Sequence, residues 1–87
     1  MVSAKVTVTN PMGLHMRPAQ VFIREMTPFE SEVTINYKDR SINGKSIMNL
    51  MASGIKQGAE IEIRCEGSDE QAALDKAVAL IQSGLGE

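Results

Sequence analysis

The fold is decided by the stretch EIEIRCE at residues 60–66. Apolar and charged residues alternate along it, and this period of two is typical of a strand with one buried face and one face in water. The same alternation marks three further segments, at residues 2–9, 32–38 and 41–43. Since none of these strands is apolar throughout, we predict a largely antiparallel sheet with one face covered by helices.

Three other segments favour helices. From Met16, apolar residues recur at spacings of three and four, as on one face of a helix, until Pro28 ends the run. A brief helix is predicted over residues 47–53. The tetrapeptide SDEQ at residues 68–71 fits a capping box and predicts a last helix that runs to about Gln82.

The resulting element order is β-α-β-β-α-β-α. It predicts an α+β fold, a two-layer open-faced sandwich in which a four-stranded sheet carries three helices on one face. A chain of 87 residues is large enough for one core, so we expect a single domain over residues 1–87.

Composition argues against several classes of function. The net charge is −2 and only 3% of residues are aromatic, which disfavours binding to nucleic acid. No apolar stretch approaches the roughly 18 residues of a membrane span, so we expect a cytoplasmic protein without membrane insertion. One histidine and one distant cysteine do not make a zinc site, and no nucleotide-binding glycine motif occurs, so we expect no metal and no cofactor. Cys65 shares its strand face with isoleucines and is predicted to be buried.

The segment GLHMRPA at residues 13–19 holds the only histidine of the chain. Histidine as a residue type titrates near neutrality, so His15 can act as a nucleophile at physiological pH. Arg17 offers a planar, permanently charged fork that suits a phosphoryl group. A helix that begins at Met16 would place backbone N–H groups and the positive end of its dipole beside the imidazole. The alternative is that His15 merely caps the helix and that Arg17 is a solvated residue of its first turn.

Ser46 and the apolar residues that follow it form a second candidate region. Ser46 is an N-cap candidate, and a phosphoryl group on it would add close to two negative charges and alter docking more than folding. A helix as short as the one predicted here cannot bury Ile47, Met48, Leu50 and Met51 on one face. Either the helix lies flat on the core, or part of this surface is a docking patch whose methionines adapt to several partners.

Both regions resemble one protein family. The segment at residues 13–19 resembles the active-site signature of HPr, the histidine-containing phosphocarrier of the bacterial phosphoenolpyruvate:sugar phosphotransferase system. The segment KSIMNLM at residues 45–51 resembles the regulatory serine segment of the Gram-positive branch of that family. The resemblance extends over the whole chain in length and element order.

The resemblance implies a carrier of phosphoryl groups and not an enzyme. It implies that enzyme I, charged by phosphoenolpyruvate, transfers a phosphoryl group to the Nδ1 atom of His15, giving a pros-phosphohistidine, with Arg17 assisting. It also implies that the carrier passes this group to sugar-specific enzyme II components, enzyme IIA among them. We expect the carrier to work as a monomer.

The resemblance further implies a regulatory role for Ser46. The serine would be phosphorylated by the ATP-dependent HPr kinase/phosphorylase, and this form would dock on catabolite control protein A, which links sugar transport to carbon catabolite repression. Five residues are expected to contact the partner proteins: Met16, Gln20, Ile47, Met48 and Met51.

Some positions depart from the common family pattern. Met12 stands where many members have a small polar residue, and Gln20 and Asn49 are bulkier or less basic than common choices. The presence of His15 argues against a regulatory paralogue that lacks the histidine. Two rivals are a nitrogen-branch carrier that signals instead of feeding sugar uptake, and a purely regulatory binding module in which the histidine is incidental.

Overall fold

The computed structural model describes residues 1–85 and confirms the predicted element order within them. The elements are β1 (Val2–Thr7), α1 (Met16–Met26), β2 (Glu32–Tyr37), β3 (Arg40–Asn43), α2 (Ile47–Ala52), β4 (Glu60–Glu66) and α3 (Glu70–Gln82). None of the helices in this range is long and apolar enough to cross a membrane.

The four strands form one sheet in the order β1-β4-β2-β3, and every neighbouring pair is antiparallel. The deciding strand β4 lies between β1 and β2, and its Ile63 stands opposite Ala4 on one side and Ile35 on the other. The alternation seen in the sequence therefore sets the register, since a slip by one residue would turn every isoleucine toward water.

The core lies between one face of the sheet and the three helices. Its buried side chains come from every layer and include Phe22 and Met26 of α1, Leu50 of α2, Ala77 and Ile81 of α3, and Ile35, Ile61, Ile63 and Cys65 of the sheet. The opposite sheet face is polar, with Lys5 of β1 opposite Glu62 of β4. The prediction of an open-faced two-layer sandwich is confirmed.

The first strand is shorter than predicted: β1 ends at Thr7 and not at residue 9. Val8 still pairs with the segment before β4, donating its N–H to Ala59 O at 2.9 Å and accepting from Gly58 N at 2.7 Å. Gly58 has a φ of +85°, a turn conformation that interrupts the regular ladder at this point.

The capping box predicted at residues 68–71 is wrong. The N-cap of α3 is Asp69, and its side chain makes no hydrogen bond to the helix. Its carboxylate instead accepts hydrogen bonds from the backbone N–H groups of Glu30 and Ser31, at 2.9 and 3.0 Å, and from the Ser31 hydroxyl at 2.5 Å. Ser68 likewise donates its hydroxyl to a Glu30 carboxylate oxygen at 2.9 Å. The start of α3 thus ties down the loop between α1 and β2.

Candidate functional site

His15 is the N-cap residue of α1. Its backbone is extended, with φ −77° and ψ −173°, and its side chain makes no capping hydrogen bond. Its carbonyl oxygen accepts the Ala19 N–H at 3.0 Å, which closes the first turn. The ring is half-buried. The imidazole therefore lies at the start of the helix, and the side-chain capping role considered from the sequence is wrong.

The loop before His15 is fixed by Gly13. This glycine has a φ of +66°, and a Cβ atom built on it would clash with the Ile55 carbonyl oxygen and lie 2.7 Å from Lys56 Cα. Leu14, next along the chain, is buried and donates its N–H to the same Ile55 oxygen at 3.1 Å. The segment that follows α2 therefore packs directly against the loop that carries the histidine.

The electrostatic surroundings of His15 favour an anion. The first turn of α1 contains no acidic residue. Met16 and Arg17 supply backbone N–H groups that have no partner within the helix, whereas Pro18 has none to offer. The Arg17 side chain is exposed, and the exposed Lys56 lines the same depression as His15. The start of the helix and Lys56 thus adjoin His15, and Arg17 follows it by two residues in the first turn.

Two shallow depressions adjoin at this surface. One is lined by His15 together with Met12, Leu14, Met51, Gly54, Ile55 and Lys56. The other is almost wholly apolar and is lined by Met16, Ile47, Met48, Met51 and Ala52. Since Met51 lines both, the histidine lies at the margin of a continuous apolar surface, which we call the methionine face (Met12, Met16, Ile47, Met48 and Met51).

The helix α2 presents most of its apolar residues to this face. Leu50 is only 1% exposed and anchors the helix in the core, whereas Met48 is 78% exposed and Met51 43%. Ile47 is half-buried. The prediction that so short a helix leaves apolar surface uncovered is confirmed. Gln20, one turn after Met16 on α1, is also exposed.

Ser46 is the N-cap of α2, as predicted. Its hydroxyl oxygen accepts the Asn49 N–H at 3.3 Å, and its carbonyl oxygen accepts the Leu50 N–H at 3.0 Å. The residue is half-buried and directly precedes the exposed residues of α2. Nothing in this arrangement brings Ser46 into the depression that His15 lines, so the two candidate sites are separate parts of one surface.

Two further expectations concern groups outside this surface. Cys65 is fully buried in the core, as predicted. Burial raises the pKa of its thiol, because the charged thiolate is disfavoured away from water. Within residues 1–85, no three His, Cys, Asp or Glu side chains lie close enough together to hold a metal ion.

Comparison with known proteins agrees with this geometry. Residues 2–83 match the PTS-HPr family model, described as the PTS HPr component phosphorylation site. The chain belongs to the HPr family. The family is one of phosphocarrier proteins of the phosphotransferase system and not of enzymes. The suspected resemblance is thereby confirmed.

Individual relatives cover nearly the whole chain. The HPr-like protein Crh of Bacillus subtilis is 40% identical over 82 residues, which are 94% of this chain and 96% of Crh. The phosphocarrier protein HPr of Buchnera aphidicola is 40% identical over 85 residues, 98% of this chain and 99% of that protein. The crystal structure of HPr-C-His from Thermoanaerobacter tengcongensis has a TM-score of 0.95 at 36% identity and covers 100% of this chain and 98% of its own. Equal identity to Crh and to an HPr means that overall similarity does not distinguish between these two kinds of relative.

Two residues of this surface, Lys56 and Met12, were not placed beside His15 from the sequence pattern. Lys56 lies far along the chain from His15, and the packing of Gly13 and Leu14 against Ile55 brings it near. Met12 was noted as a departure from the family pattern, yet it is 73% exposed and lines the depression of the histidine. A glycine at the end of a short helix, Gly54, was the one local signal that the chain turns back here.

Proposed function

We propose that this chain is a phosphocarrier that accepts a phosphoryl group on His15 Nδ1 from enzyme I and passes it to enzyme IIA components. The observation that carries the proposal is the position of the lone histidine, at the acid-free start of α1 and at the margin of the methionine face. A donor protein and an acceptor protein must reach the same nitrogen in turn, and a half-buried ring in a shallow depression allows both approaches.

The transfer needs only one nucleophile. The Nδ1 lone pair attacks phosphorus in line with the bond to the donor, so that an N–P bond forms while the donor's bond breaks and its electron pair leaves with the donor. Onward transfer repeats this step with the acceptor's nucleophile and returns the imidazole. The helix end and Arg17 stabilise the phosphoryl charge only moderately, which suits a carrier, because tight binding of the phosphorylated form would slow its release.

We assign partner docking to the methionine face together with Gln20. An exposed apolar surface of this kind, with Lys56 in the adjoining depression and Arg17 next to Met16 in the sequence, fits partner proteins that bury thioethers and present acidic groups around them. Flexible methionine side chains suit several partners better than branched ones, because they repack at low cost.

For Ser46 we propose regulatory phosphorylation by HPr kinase/phosphorylase, followed by docking on catabolite control protein A. The support is the family resemblance of residues 45–51 and the position of Ser46 directly before the exposed part of α2. A phosphoryl group there would place close to two negative charges beside the docking surface.

A crossed experiment with two donors and two variants tests both sites. Enzyme I with phosphoenolpyruvate should place an acid-labile, base-stable phosphate on the native chain and on Ser46→Ala, but not on His15→Ala. The kinase with ATP should place an acid-stable phosphate on the native chain and on His15→Ala, but not on Ser46→Ala. Phosphorus NMR reads both products. Labelling of His15→Ala by enzyme I would refute the carrier role.

The negative charge of a phosphorylated Ser46 should also affect phosphoryl transfer to His15. We expect Ser46→Asp to slow phosphoryl acceptance from enzyme I roughly threefold to tenfold at low salt, and less at high salt, because exposed charges are screened. The matched control is Ser46→Asn, which keeps the size and the N-cap function without the charge. An equal rate for the two variants would argue against an electrostatic effect.

We further propose that the carrier is cytoplasmic, consists of a single domain and works as a monomer. One solved HPr relative is described as a dimer, so the mass in solution during transfer should be measured directly. The rival nitrogen-branch carrier is distinguished by its acceptor: transfer to enzyme IIA proteins of sugar systems supports the assignment made here.

A further inference from the structure

The methionines of this chain are distributed very unevenly. The sequence has six, and five of them are exposed: Met1, Met12, Met16, Met48 and Met51. The sixth, Met26, is fully buried. Large apolar side chains normally lie in the core, so an excess of exposed thioethers points to a role at the surface.

Four of the five exposed methionines lie on one surface. Met12 and Met51 line the depression that holds His15, and Met16, Met48 and Met51 line the apolar depression beside it. Their exposed fractions range from 43% for Met51 to 78% for Met48. An oxidant in solution can therefore reach all four side chains without any opening of the fold.

Apart from Met1, the remaining sulfurs of the chain are those of Cys65 and Met26, and both are buried. Cys65 is 0% exposed, and burial raises the pKa of its thiol, which disfavours the reactive thiolate. Met26 is shielded in the same way, at 0% exposure. Peroxide added to the folded protein should thus react with the four thioethers of the methionine face, and with the exposed Met1, well before it reaches either buried sulfur.

We propose that the thioethers of Met12, Met16, Met48 and Met51 are a reversible oxidation site that controls partner docking. Each sulfur attacks one peroxide oxygen, the O–O bond breaks, and the products are a sulfoxide and water. The sulfur loses two electrons and the peroxide gains them. A methionine sulfoxide reductase with a dithiol reverses the step, releasing water and leaving a disulfide.

The effect on docking follows from the change in polarity. A sulfoxide turns a flexible apolar side chain into a polar one that is costly to bury against a partner. Because the four sulfurs lie outside the core, oxidation should leave the fold intact and act on the methionine face alone. This consequence rests on the proposed function, whereas the selectivity of the oxidation rests only on the exposure of the side chains.

The test treats the folded protein with hydrogen peroxide and follows two readouts. Peptide mass spectrometry should show sulfoxide at the four positions and at the exposed Met1, while Met26 stays unmodified. The rate of phosphoryl acceptance from enzyme I should fall roughly fivefold or more and recover after treatment with two methionine sulfoxide reductases, one for each sulfoxide epimer. Oxidation of Met26 at the same rate as the others would overturn the proposed selectivity.

A variant with all four methionines changed to leucine is the matched control, since leucine keeps the apolar character and cannot form a sulfoxide. Its rate after peroxide is compared with its own rate before, and the ratio should stay near one. An equal loss in this variant, or no loss in the fully oxidised native chain, would overturn the regulatory role. If the untreated native chain accepts no phosphate, the phosphocarrier proposal fails instead, while the peptide masses still decide the modification.

Discussion

The starts of the two long helices of this protein differ in charge. Neither N-cap side chain bonds to its own helix, but the first turn of α1, after His15, holds no acidic residue. At the start of α3 the N-cap is Asp69 and the first turn holds Glu70, and both carboxylates are occupied. Asp69 binds the loop at residues 30 and 31, and Glu70 accepts the Gly67 N–H and pairs with the N-terminal ammonium group at 2.9 Å.

The difference shows where the chain places its negative charge. Hydrogen bonds, first from the Ser31 hydroxyl and then from Glu30 N–H, lower the pKa of the Asp69 carboxyl below its usual value. The N-terminal ammonium group, followed by Gly67 N–H, lowers the pKa of Glu70 in the same way. The start of α3 therefore carries carboxylates that are bonded to the rest of the fold, whereas the first turn of α1 carries no acidic residue. A phosphoryl group on His15, as proposed above, would meet no like charge in that turn.

The largest effect is expected from the loop that sets up α1. Gly13→Ala should lower the free energy of unfolding by more than about 2 kcal/mol, because it combines a strained positive φ with a clash against the Ile55 carbonyl oxygen. Gly58→Ala is the matched control: φ is +85°, but nothing lies within 4 Å of its added Cβ. It should cost about 1 kcal/mol from backbone strain alone. Urea unfolding measures both, and equal losses would contradict the close packing of the loop.

The next largest effect, on the rate of phosphoryl acceptance, is expected when an acidic residue is placed in the first turn of α1, as in α3. Arg17→Glu should slow phosphoryl acceptance on His15 by about tenfold, since a negative charge replaces a positive one beside the incoming group. The same change should leave the helix equally or slightly more stable, by less than about 1 kcal/mol, because an acid suits a helix start.

Arg24→Glu is the charge-matched control for this prediction, since it alters the net charge equally but lies in the last turn of α1. It should keep most of the transfer rate and lower stability slightly. Similar transfer rates for Arg17→Glu and Arg24→Glu would mean that net charge, and not the position of the arginine, governs acceptance.

A smaller effect, dependent on pH, is expected at the start of α3. Because folding lowers the pKa of Asp69, its contribution to stability is complete above the unfolded value of about 3.9 and is lost as the pH falls through the lowered folded value. Asp69→Asn should thus be less stable than the native chain at neutral pH, and the difference should shrink below about pH 4.

Urea unfolding at a series of pH values measures this difference, with the exposed Asp39→Asn as the control. Transfer to His15 at neutral pH should be nearly unchanged in Asp69→Asn, since the two helix starts do separate work. A stability difference that grows toward acid pH would contradict the assignment.

Most of the fold was predictable because its signals are local. The alternation in β4 fixes which side chains face the core, and Pro28 and Gly84 mark the ends of helices within a few residues. The capping box failed for the opposite reason. Asp69 has a hydrogen-bonding partner at Ser31, 38 residues away in sequence, and no pattern in residues 68–71 reveals that competition.

The site was predictable in the same uneven way. The positions of His15, Arg17 and Ser46 were predictable because each lies at a helix start that the sequence marks with a proline, a glycine or a capping residue. Lys56 was not found, since its place beside the histidine depends on a tertiary contact between Gly13 and Ile55. The exposure of Met48 and Met51 could be predicted from the short length of α2. That their surface adjoins the depression of His15 could not be predicted in this way.

The most direct test of the central claim uses the fact that His15 is the only histidine. A sample labelled with ¹⁵N in histidine gives one imidazole, and NMR after transfer from enzyme I identifies the nitrogen that carries phosphorus. We predict ³¹P coupling to Nδ1 of a protein that remains folded, and loss of the signal when enzyme IIA is added. Coupling to Nε2, or no phosphorus on the ring while the acceptor is still phosphorylated through this protein, would contradict the account.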